Sequence, residues 1–271
     1  MLGTPIAHSL SPVIHGAGFV AAGLVDWSYT AIECAQDQLA DLVAGLEPGW
    51  AGLSLTMPLK EVALVVADTV EPMAAALGAA NTLVRGPEGW HAVNTDAPGM
   101  LDALGAAGVD RAARVAVLGG GGTARAALGA AAGLGAAVTV YARRAGAIDA
   151  LRPVAAALGV TLTGEPWSAA GGCAAADVVI STVPKGVADH LAGMGWRPET
   201  VVFDVVYAPW PTAIAGGAHA AGCRVVSGLD LLLAQAVRQF ERFTGTPAPV
   251  GAMGQALAEA SNADAGAMWI R

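Results

Sequence analysis

One stretch of the chain constrains its fold more than any other. Residues 114–144 run RVAVLGGGGTARAALGAAAGLGAAVTVYARR, a pattern that predicts a strand, a glycine turn, a helix and a second strand. Backbone can approach a phosphate closely only where no Cβ intervenes, and a helix N-terminus offers free N–H groups to it. The four glycines Gly119, Gly120, Gly121 and Gly122 therefore indicate a dinucleotide-binding unit. Taken without their context, the glycines would indicate only a tight turn.

The end of the second strand predicts which dinucleotide binds. An NAD site usually carries an acidic residue there, which accepts a hydrogen bond from the ribose 2′-hydroxyl. This chain has Arg143 and Arg144 at that place and no acid. Guanidinium groups form charge-assisted hydrogen bonds to phosphate, each worth about 1.5–3 kcal/mol. The two arginines predict NADP, and the alternative is a pair of solvated surface arginines.

Alternation of strands and helices continues beyond this unit. Further strands are predicted at residues 178–181, 201–206 and 224–227, with helical stretches between them. Repeated β-α alternation is typical of a parallel sheet covered by helices on both faces. A long helix is predicted at 229–243 and another after Pro249. The fold class is therefore α/β, with a Rossmann-like, doubly wound nucleotide domain.

The first hundred residues show a different pattern, which predicts a separate α/β domain. Ser11 and Pro12 predict a helix start, with Ser11 as the N-cap. A short buried strand is expected at 53–56, and a helix that carries Lys60 should follow Pro58. Two further strands separated by GPEG predict a β-hairpin over residues 81–94.

These patterns predict two domains. Residues 1–97 form a substrate domain that the helices in 229–271 complete, and residues 98–228 form the nucleotide domain. The length of 271 residues suits this division.

Composition excludes several classes of protein. A net charge of −8 disfavours binding to nucleic acid through bulk electrostatics. The longest uncharged run, 126–142, is mostly alanine and glycine, and a membrane-spanning helix needs about 20 strongly apolar residues. No metal site is expected, because the spacing of Cys34, Cys173 and Cys223 matches no metal or redox motif. Reduced thiols in a cytoplasmic protein are the expectation.

Two ionisable residues in the first domain are candidates for catalysis. Reduction of a carbonyl group needs a proton donor near the oxygen that gains charge. Lys60 and Asp96 lie in turn-rich settings beside hydroxyl and amide residues, and together they could hold a substrate hydroxyl and exchange its proton. Each has an ordinary alternative when it is considered alone. A lysine is usually a solvated surface charge, and an Asp that follows Asn94-Thr95 is often a helix N-cap.

Eight motifs along the chain point to one known family. They are GTPIAHSLSPVIH (3–15), SLTMPLK (54–60), GAANT (78–82), NTDAPG (94–99), GGGGTARA (119–126), STVPKG (181–186), DVVYAPWPT (204–212) and GLDLLLAQA (228–236). In this order they resemble the successive signature motifs of the shikimate dehydrogenase family, over nearly the whole chain. Asp230 and Leu231 depart from the pattern, since the family commonly has a small residue and a methionine there.

The resemblance implies a role for the residues at the family's functional positions. Lys60 and Asp96 match the catalytic pair. The implied substrate contacts are Ser9, Ser11, Thr56, Asn81, Tyr207 and Gln235. The implied contacts to NADP(H), beyond the four glycines and two arginines, are Thr123, Thr182, Val183, Gly228 and Leu231.

The implied activity is reversible reduction of 3-dehydroshikimate to shikimate with NADPH, in aromatic amino acid biosynthesis. The enzyme would be cytoplasmic, a monomer or a homodimer, with its small-molecule substrate as partner and neither a membrane nor a nucleic acid. Two alternatives remain: a quinate/shikimate dehydrogenase with relaxed substrate or cofactor choice, and a non-catalytic protein that senses the dinucleotide. A folate-type dehydrogenase is disfavoured, because the HSLSP and DVVYAPWPT segments supply hydroxyls suited to a small acid.

Overall fold

The computed structural model describes residues 1–261, and these residues divide into two compact units. The first unit comprises Met1–Asp96 together with residues 232–261, and the second comprises Ala97–Leu231. The last ten residues of the segment 229–271, which the sequence assigns to the substrate domain, lie outside the described part of the chain.

The first 96 residues form short strands and helices around an antiparallel hairpin. In chain order the elements are β1 (Leu2–Gly3), α1 (Ser11–Ala21), β2 (Ile32–Glu33), α2 (Leu39–Ala44), β3 (Gly52–Ser54), α3 (Ala63–Val66), β4 (Thr69–Val70), α4 (Pro72–Leu77), β5 (Thr82–Gly86) and β6 (Gly89–Val93). Strands β3, β5, β6 and β4 lie side by side in that order. The β5–β6 pairing confirms the predicted hairpin.

Two local predictions for this unit are wrong. Ser11 does not cap α1, because Leu10 occupies the N-cap position and Ser11 belongs to the first turn, where its N–H bonds to the hydroxyl of Ser9. Lys60 does not lie on a helix, because residues 57–62 form turns before α3. Its carbonyl accepts a hydrogen bond from the N–H of Ala80 at 2.8 Å, which ties this turn to the segment before β5.

The second unit is a six-stranded parallel sheet with helices. Its elements are α5 (Asp96–Ala106), which begins at the last residue of the first unit, β7 (Arg114–Leu118), α6 (Gly122–Leu134), β8 (Ala137–Ala142), α7 (Ala145–Asp149), α8 (Arg152–Ala157), β9 (Leu162–Pro166), β10 (Val178–Ser181), β11 (Val201–Asp204), α9 (Ala213–Ala220) and β12 (Arg224–Ser227). The strand order is β12-β11-β10-β7-β8-β9, and all neighbours are parallel. With the strands of this unit counted from one, this is the doubly wound order 3-2-1-4-5-6, which confirms the predicted fold class.

Buried strands explain why this sheet forms. Every residue of β10 and β11 is buried, as expected for central strands of a parallel sheet. Strand β11 ends two residues before the predicted boundary at 206. The reason is that the N–H of Val206 bonds to the carboxylate of Asp204, which turns the chain out of the sheet.

Two helices complete the described chain, as predicted. They are α10 (Gly228–Thr244) and α11 (Val250–Ala260). Helix α11 packs against α1, and a glycine allows the close approach. A Cβ on Gly18 would lie 2.9 Å from the ring of Phe240 and 3.2 Å from the side chain of Met253. Among residues 1–261, no helix is both long and apolar enough to cross a membrane.

Candidate active site

The structure brings Lys60 and Asp96 together. The ammonium Nζ of Lys60 lies 2.5 Å from Oδ2 of Asp96, and the two side chains keep 28% and 16% of their surface exposed. Asp96 is the first residue of α5, where the helix dipole favours a negative charge. A charge-assisted hydrogen bond of this length fixes both groups. The ammonium keeps two further N–H donors for other oxygens.

Asn81 holds the other oxygen of the Asp96 carboxylate. Its amide Nδ2 donates to Oδ1 of Asp96 and to the hydroxyl of Thr95, both at 2.9 Å. Its Oδ1 accepts from the N–H of Thr95 at 2.7 Å and from the hydroxyl of Thr82 at 3.0 Å. Both amide hydrogens of Asn81 are therefore bonded within the protein, and the residue aligns Asp96.

The other residues implied as substrate contacts in the first unit are more loosely connected to this pair. Ser9 is half-buried, while Ser11 is buried beside Tyr29. Thr56 is half-buried, and its carbonyl closes the turn before Lys60 through the N–H of Leu59. Gln235 lies on α10, where its amide donates to the carbonyl of Leu232. None of these four side chains contacts the Lys60–Asp96 pair through a hydrogen bond that the described residues show.

A buried histidine and a half-buried tyrosine lie beside the Ser9–Ser11 segment. The ring of His15 stacks on the ring of Tyr29, with their centroids 4.1 Å apart. His15 Nδ1 bonds to the carbonyl of Ser11, so that nitrogen carries the proton and Nε2 is a bare acceptor. Within residues 1–261 this Nε2 has no hydrogen-bond partner. Burial lowers the pKa of His15 to about 4 and raises the pKa of Tyr29. No sequence motif pointed to Tyr29.

The buried histidine predicts a loss of stability in mild acid. The unfolded chain takes up a proton near pH 6.5 but the folded chain only near pH 4, so stability falls as pH drops through this window. At pH 5 the loss from His15 is about 2 kcal/mol. Urea unfolding of the wild type and of His15→Phe at pH 7.5 and pH 5 measures it, because the variant lacks this part of the pH dependence. The matched control is His8→Gln, since His8 is exposed. An unchanged pH dependence in His15→Phe would contradict this account.

The glycine turn lies where the strand order of the second unit's sheet reverses, between β7 and β10. Gly119 follows β7, and Thr182 follows the adjacent strand β10. Ligands of doubly wound sheets bind at this switch point, outside the carboxyl ends of the strands. Gly119 has φ +107°, and a Cβ there would lie 2.7 Å from the hydroxyl of Thr182 and 3.1 Å from Val183. Helix α6 starts at Gly122, so Gly122 and Thr123 form its first turn.

A cavity of about 300 Å³ opens beside this turn. It is lined by seven residues that the sequence assigned to the cofactor: Gly119, Gly120, Gly121, Arg143, Arg144, Thr182 and Val183. Trp167 and Val187 also line the cavity, although no sequence motif pointed to them. Both arginines are exposed and, within residues 1–261, neither forms an ion pair. The cavity therefore combines a glycine turn with two arginines that form no ion pair among the described residues.

We expect Gly119→Ala to destabilise the protein even without a ligand. A side chain at φ +107° and in contact with Thr182 costs about 1–3 kcal/mol. The matched control is Gly122→Ala, because Gly122 has open space around its Cβ position and ordinary φ. That change should leave the free energy of unfolding equal or slightly higher. Urea unfolding measures both variants, and equal stability of the two would contradict the assigned strain.

Tyr207 and Gly228 lie close together in the second unit. A Cβ on Gly228 would lie 3.2 Å from the ring of Tyr207 and would collide with the carbonyl of Val205, so only glycine fits. The loop that carries Tyr207 is held by Asp204, whose carboxylate accepts from Thr212 at 2.7 Å and from the N–H of Val206. Burial raises the pKa of Asp204, and the hydrogen bond from Thr212 opposes this effect. Asp204 stands in the DVVYAPWPT motif, but the sequence did not reveal this function.

Asp230, which departs from the family pattern, has a structural role. Its carboxylate accepts from the N–H and the hydroxyl of Ser227, both at 2.7 Å. Ser227 immediately precedes α10, and its hydroxyl accepts from the N–H of Asp230, so the two form a capping box. Burial raises the pKa of Asp230, and the hydrogen bonds from Ser227 oppose this. Leu231 follows on α10 and is half-buried.

These features define a class of protein: a nicotinamide-dependent oxidoreductase with a doubly wound nucleotide-binding unit and a lysine–aspartate pair. Family models agree along the chain. Residues 1–83 match the shikimate dehydrogenase substrate binding domain, and residues 228–258 match the shikimate 5′-dehydrogenase C-terminal domain. Residues 88–195 match the alanine dehydrogenase/PNT C-terminal domain.

Individual shikimate dehydrogenases also match this chain over nearly its full length. Shikimate dehydrogenase (NADP(+)) of Moorella thermoacetica is 38% identical, with 98% of this chain and 94% of that protein covered. The shikimate dehydrogenase structure from Mycobacterium tuberculosis is 44% identical, with a TM-score of 0.85 and coverage of 95% and 97%. The Thermus thermophilus enzyme in complex with NADP(H) and shikimate is 31% identical, with a TM-score of 0.82 and coverage of 96% and 97%. The chain belongs to the shikimate dehydrogenase family.

Proposed function

We propose that this protein catalyses the reversible NADPH-dependent reduction of 3-dehydroshikimate to shikimate, a step of aromatic amino acid biosynthesis. The observation that carries the proposal is the contact between Lys60 and Asp96, on a chain whose family relatives are named for this reaction and for NADP. A protein that only sensed the dinucleotide would have no use for this pair.

The residues around the glycine turn fit NADP(H). The free N–H groups at the start of α6 suit the pyrophosphate, and the open space beside Gly121 and Gly122, which have no Cβ, leaves room for it to approach the backbone. Arg143 and Arg144, at the end of β8, suit the 2′-phosphate. Thr182, Val183, Gly228 and Leu231 are proposed contacts near the reactive ring. When bound, the cofactor supplies or accepts the hydride.

Lys60 is proposed as the proton donor. Its ammonium gives one N–H to Asp96 and keeps two for the substrate, so it can donate to the carbonyl oxygen that gains charge and to the neighbouring hydroxyl. Asp96 stays a carboxylate that orients the ammonium, and Asn81 holds it from the other side. In the reverse direction, the amine of Lys60 takes the proton back.

The other substrate contacts are proposed by position. Ser9 and Ser11 supply hydroxyl donors for the carboxylate of the acid, and Tyr207 supplies a third. Thr56 and Gln235 are the proposed partners of the ring hydroxyls, and Asn81 joins them when its amide exchanges the bond to the Thr95 hydroxyl for one to the substrate. We propose that the substrate domain comprises residues 1–97 and 229–271, and the cofactor domain residues 98–228.

The cellular setting is also part of the proposal. The three cysteines are free thiols and all are buried, which fits a reducing, cytoplasmic location. A monomer or a homodimer is expected, and sedimentation of the purified protein decides between them.

The direct test is NADPH formation, followed by absorbance, with purified protein, NADP⁺ and shikimate. The proposal predicts turnover with shikimate that exceeds turnover with quinate and that is faster with NADP⁺ than with NAD⁺. Turnover on quinate equal to that on shikimate would favour the relaxed quinate/shikimate alternative. Binding of NADP⁺ without turnover of either acid would instead support the sensor alternative.

A further inference from the structure

A buried chain of hydrogen bonds in the first unit ends at the Asp96 carboxylate. Tyr29 donates to Ser54 at 2.6 Å, and Ser54 donates to Oε1 of Gln239 at 2.9 Å. The amide of Gln239 donates to the hydroxyl of Thr82 at 2.9 Å. Thr82 and Asn81 then continue the chain to Asp96, as described above. We call this set of bonds, from Tyr29 to Asp96, the relay.

Backbone groups fix the orientation of the two amides in the relay, and the directions of the other bonds follow from these. The N–H of Thr95 can only donate, so it must face Oδ1 of Asn81, and this turns Nδ2 of Asn81 towards Asp96. The carbonyl of Asn81 can only accept, so it must face Nε2 of Gln239, at 3.3 Å. Oε1 of Gln239 then faces Ser54, whose single proton is used there.

The direction of the bond between Tyr29 and Ser54 follows from the hydroxyl proton of Ser54. Because Ser54 gives its only proton to Gln239, Tyr29 must donate to Ser54. All donors consequently point towards Asp96, an arrangement in which each bond polarises the next. No amide in the relay can be flipped without placing two acceptors or two donors face to face.

The four inner residues of the relay are almost completely removed from solvent. Ser54, Thr82, Asn81 and Gln239 are each at most 2% exposed. A broken link would leave a buried polar group without a partner, which costs about 1–3 kcal/mol. Gln239 lies one turn beyond Gln235 on α10, so the helix that carries a proposed substrate contact also carries the centre of the relay.

We propose that Gln239 and Thr82 are positioning residues for the reaction. They hold the amide of Asn81 in the one orientation that donates to Asp96, and Asp96 in turn aligns the ammonium of Lys60. Neither residue is among the contacts inferred for the substrate or the cofactor. The inference rests on the proposed function, since it assigns these residues a part in that same reaction.

Thr82→Val tests the proposal, because valine keeps the shape of threonine and removes only the hydroxyl link. We expect kcat for shikimate oxidation to fall about tenfold, since misalignment by a fraction of an ångström slows a positioned reaction. Kd for NADP⁺ should change less than about twofold, and KM for shikimate should rise less than kcat falls, because the N–H of Thr95 still bonds to Oδ1 of Asn81, the relay's proposed substrate contact. Thr82→Ser, which restores the hydroxyl, should recover most of the lost rate.

A double-mutant cycle separates positioning from a general structural effect. If Thr82 acts through Asn81, Thr82→Val lowers kcat no further in an Asn81→Ala background. The matched control is Thr163→Val, at an exposed position of β9, which should leave kcat unchanged. If Thr82→Val fails to fold, Gln239→Met provides the same test with the same cycle.

Three results would overturn the relay while the proposed function stands: normal kcat in Thr82→Val, equal losses with and without Asn81, or no recovery in Thr82→Ser. A wild-type protein that binds NADP⁺ but does not oxidise shikimate would overturn the proposed function instead, and the relay with it.

Discussion

Lys60→Met is expected to lower kcat for shikimate oxidation by roughly 10²–10⁴-fold, the range typical of a lost general acid. Methionine preserves much of the length of the side chain and removes only its charge and its N–H donors. KM for shikimate should rise much less than kcat falls, and the affinity for NADP⁺ should be unchanged. Steady-state kinetics and a binding titration measure these quantities.

The control for this variant is a matching substitution in a second ion pair of the same unit. Arg242 lies 2.8 Å from Glu71 at a more exposed site, and Arg242→Met removes a cation there too. Its kcat should stay near the wild-type value, because exposed ion pairs contribute little. Near-normal turnover in Lys60→Met would refute the role assigned to Lys60. An equal loss in both variants would indicate damage to the unit as a whole.

The second large effect concerns cofactor choice. Arg143→Ala and Arg144→Ala should each weaken NADP⁺ binding by roughly 10- to 100-fold, as expected for the loss of a charge-assisted bond to phosphate. Binding of NAD⁺, which lacks the 2′-phosphate, should be nearly unchanged. Trp167 lines the same cavity, so its fluorescence is a convenient signal for titrations with both dinucleotides.

A control must distinguish the loss of a contact to the 2′-phosphate from the loss of one positive charge. Arg111→Ala provides the control, since Arg111 is exposed in the same unit and does not line the cavity. Arg111→Ala changes the net charge by the same amount and should leave the affinities for NAD⁺ and NADP⁺ unchanged. An equal loss of NAD⁺ and NADP⁺ binding in the Arg143 and Arg144 variants would contradict the proposed 2′-phosphate contact.

Much of the fold was predictable because its signals are local. The run from Arg114 to Arg144 has a strand, glycines, a helix and a strand in sequence, and each is specified by adjacent residues. Strands β10 and β12 coincide with their predicted ranges for the same reason. The predictions fail where a tertiary contact decides. The turn at Lys60 is held by Ala80, and β11 ends where Asp204 bonds to its own loop.

In the candidate site, too, local motifs were predictable and tertiary contacts were not. The motifs identified Lys60, Asp96 and Asn81, but their mutual contacts depend on the packing of β5 and β6 against the turn. Gln239 could not be found from sequence, because its bond to Ser54 spans 185 residues. Tyr29 and His15 were missed for a related reason: a tyrosine in a loop and a histidine on a helix give no sign that their rings will stack.

If Lys60 is the proton donor, its ammonium, aligned by Asp96, must meet the oxygen of the carbon that exchanges hydride. A crystal structure of the wild-type protein with NADP⁺ and shikimate measures this most directly. We expect Nζ of Lys60 to lie within hydrogen-bond reach, about 3 Å, of the hydroxyl that is oxidised. We also expect the Lys60–Asp96 contact to be retained. A complex in which that hydroxyl lies beyond the reach of Lys60, while another side chain contacts it, would contradict the account.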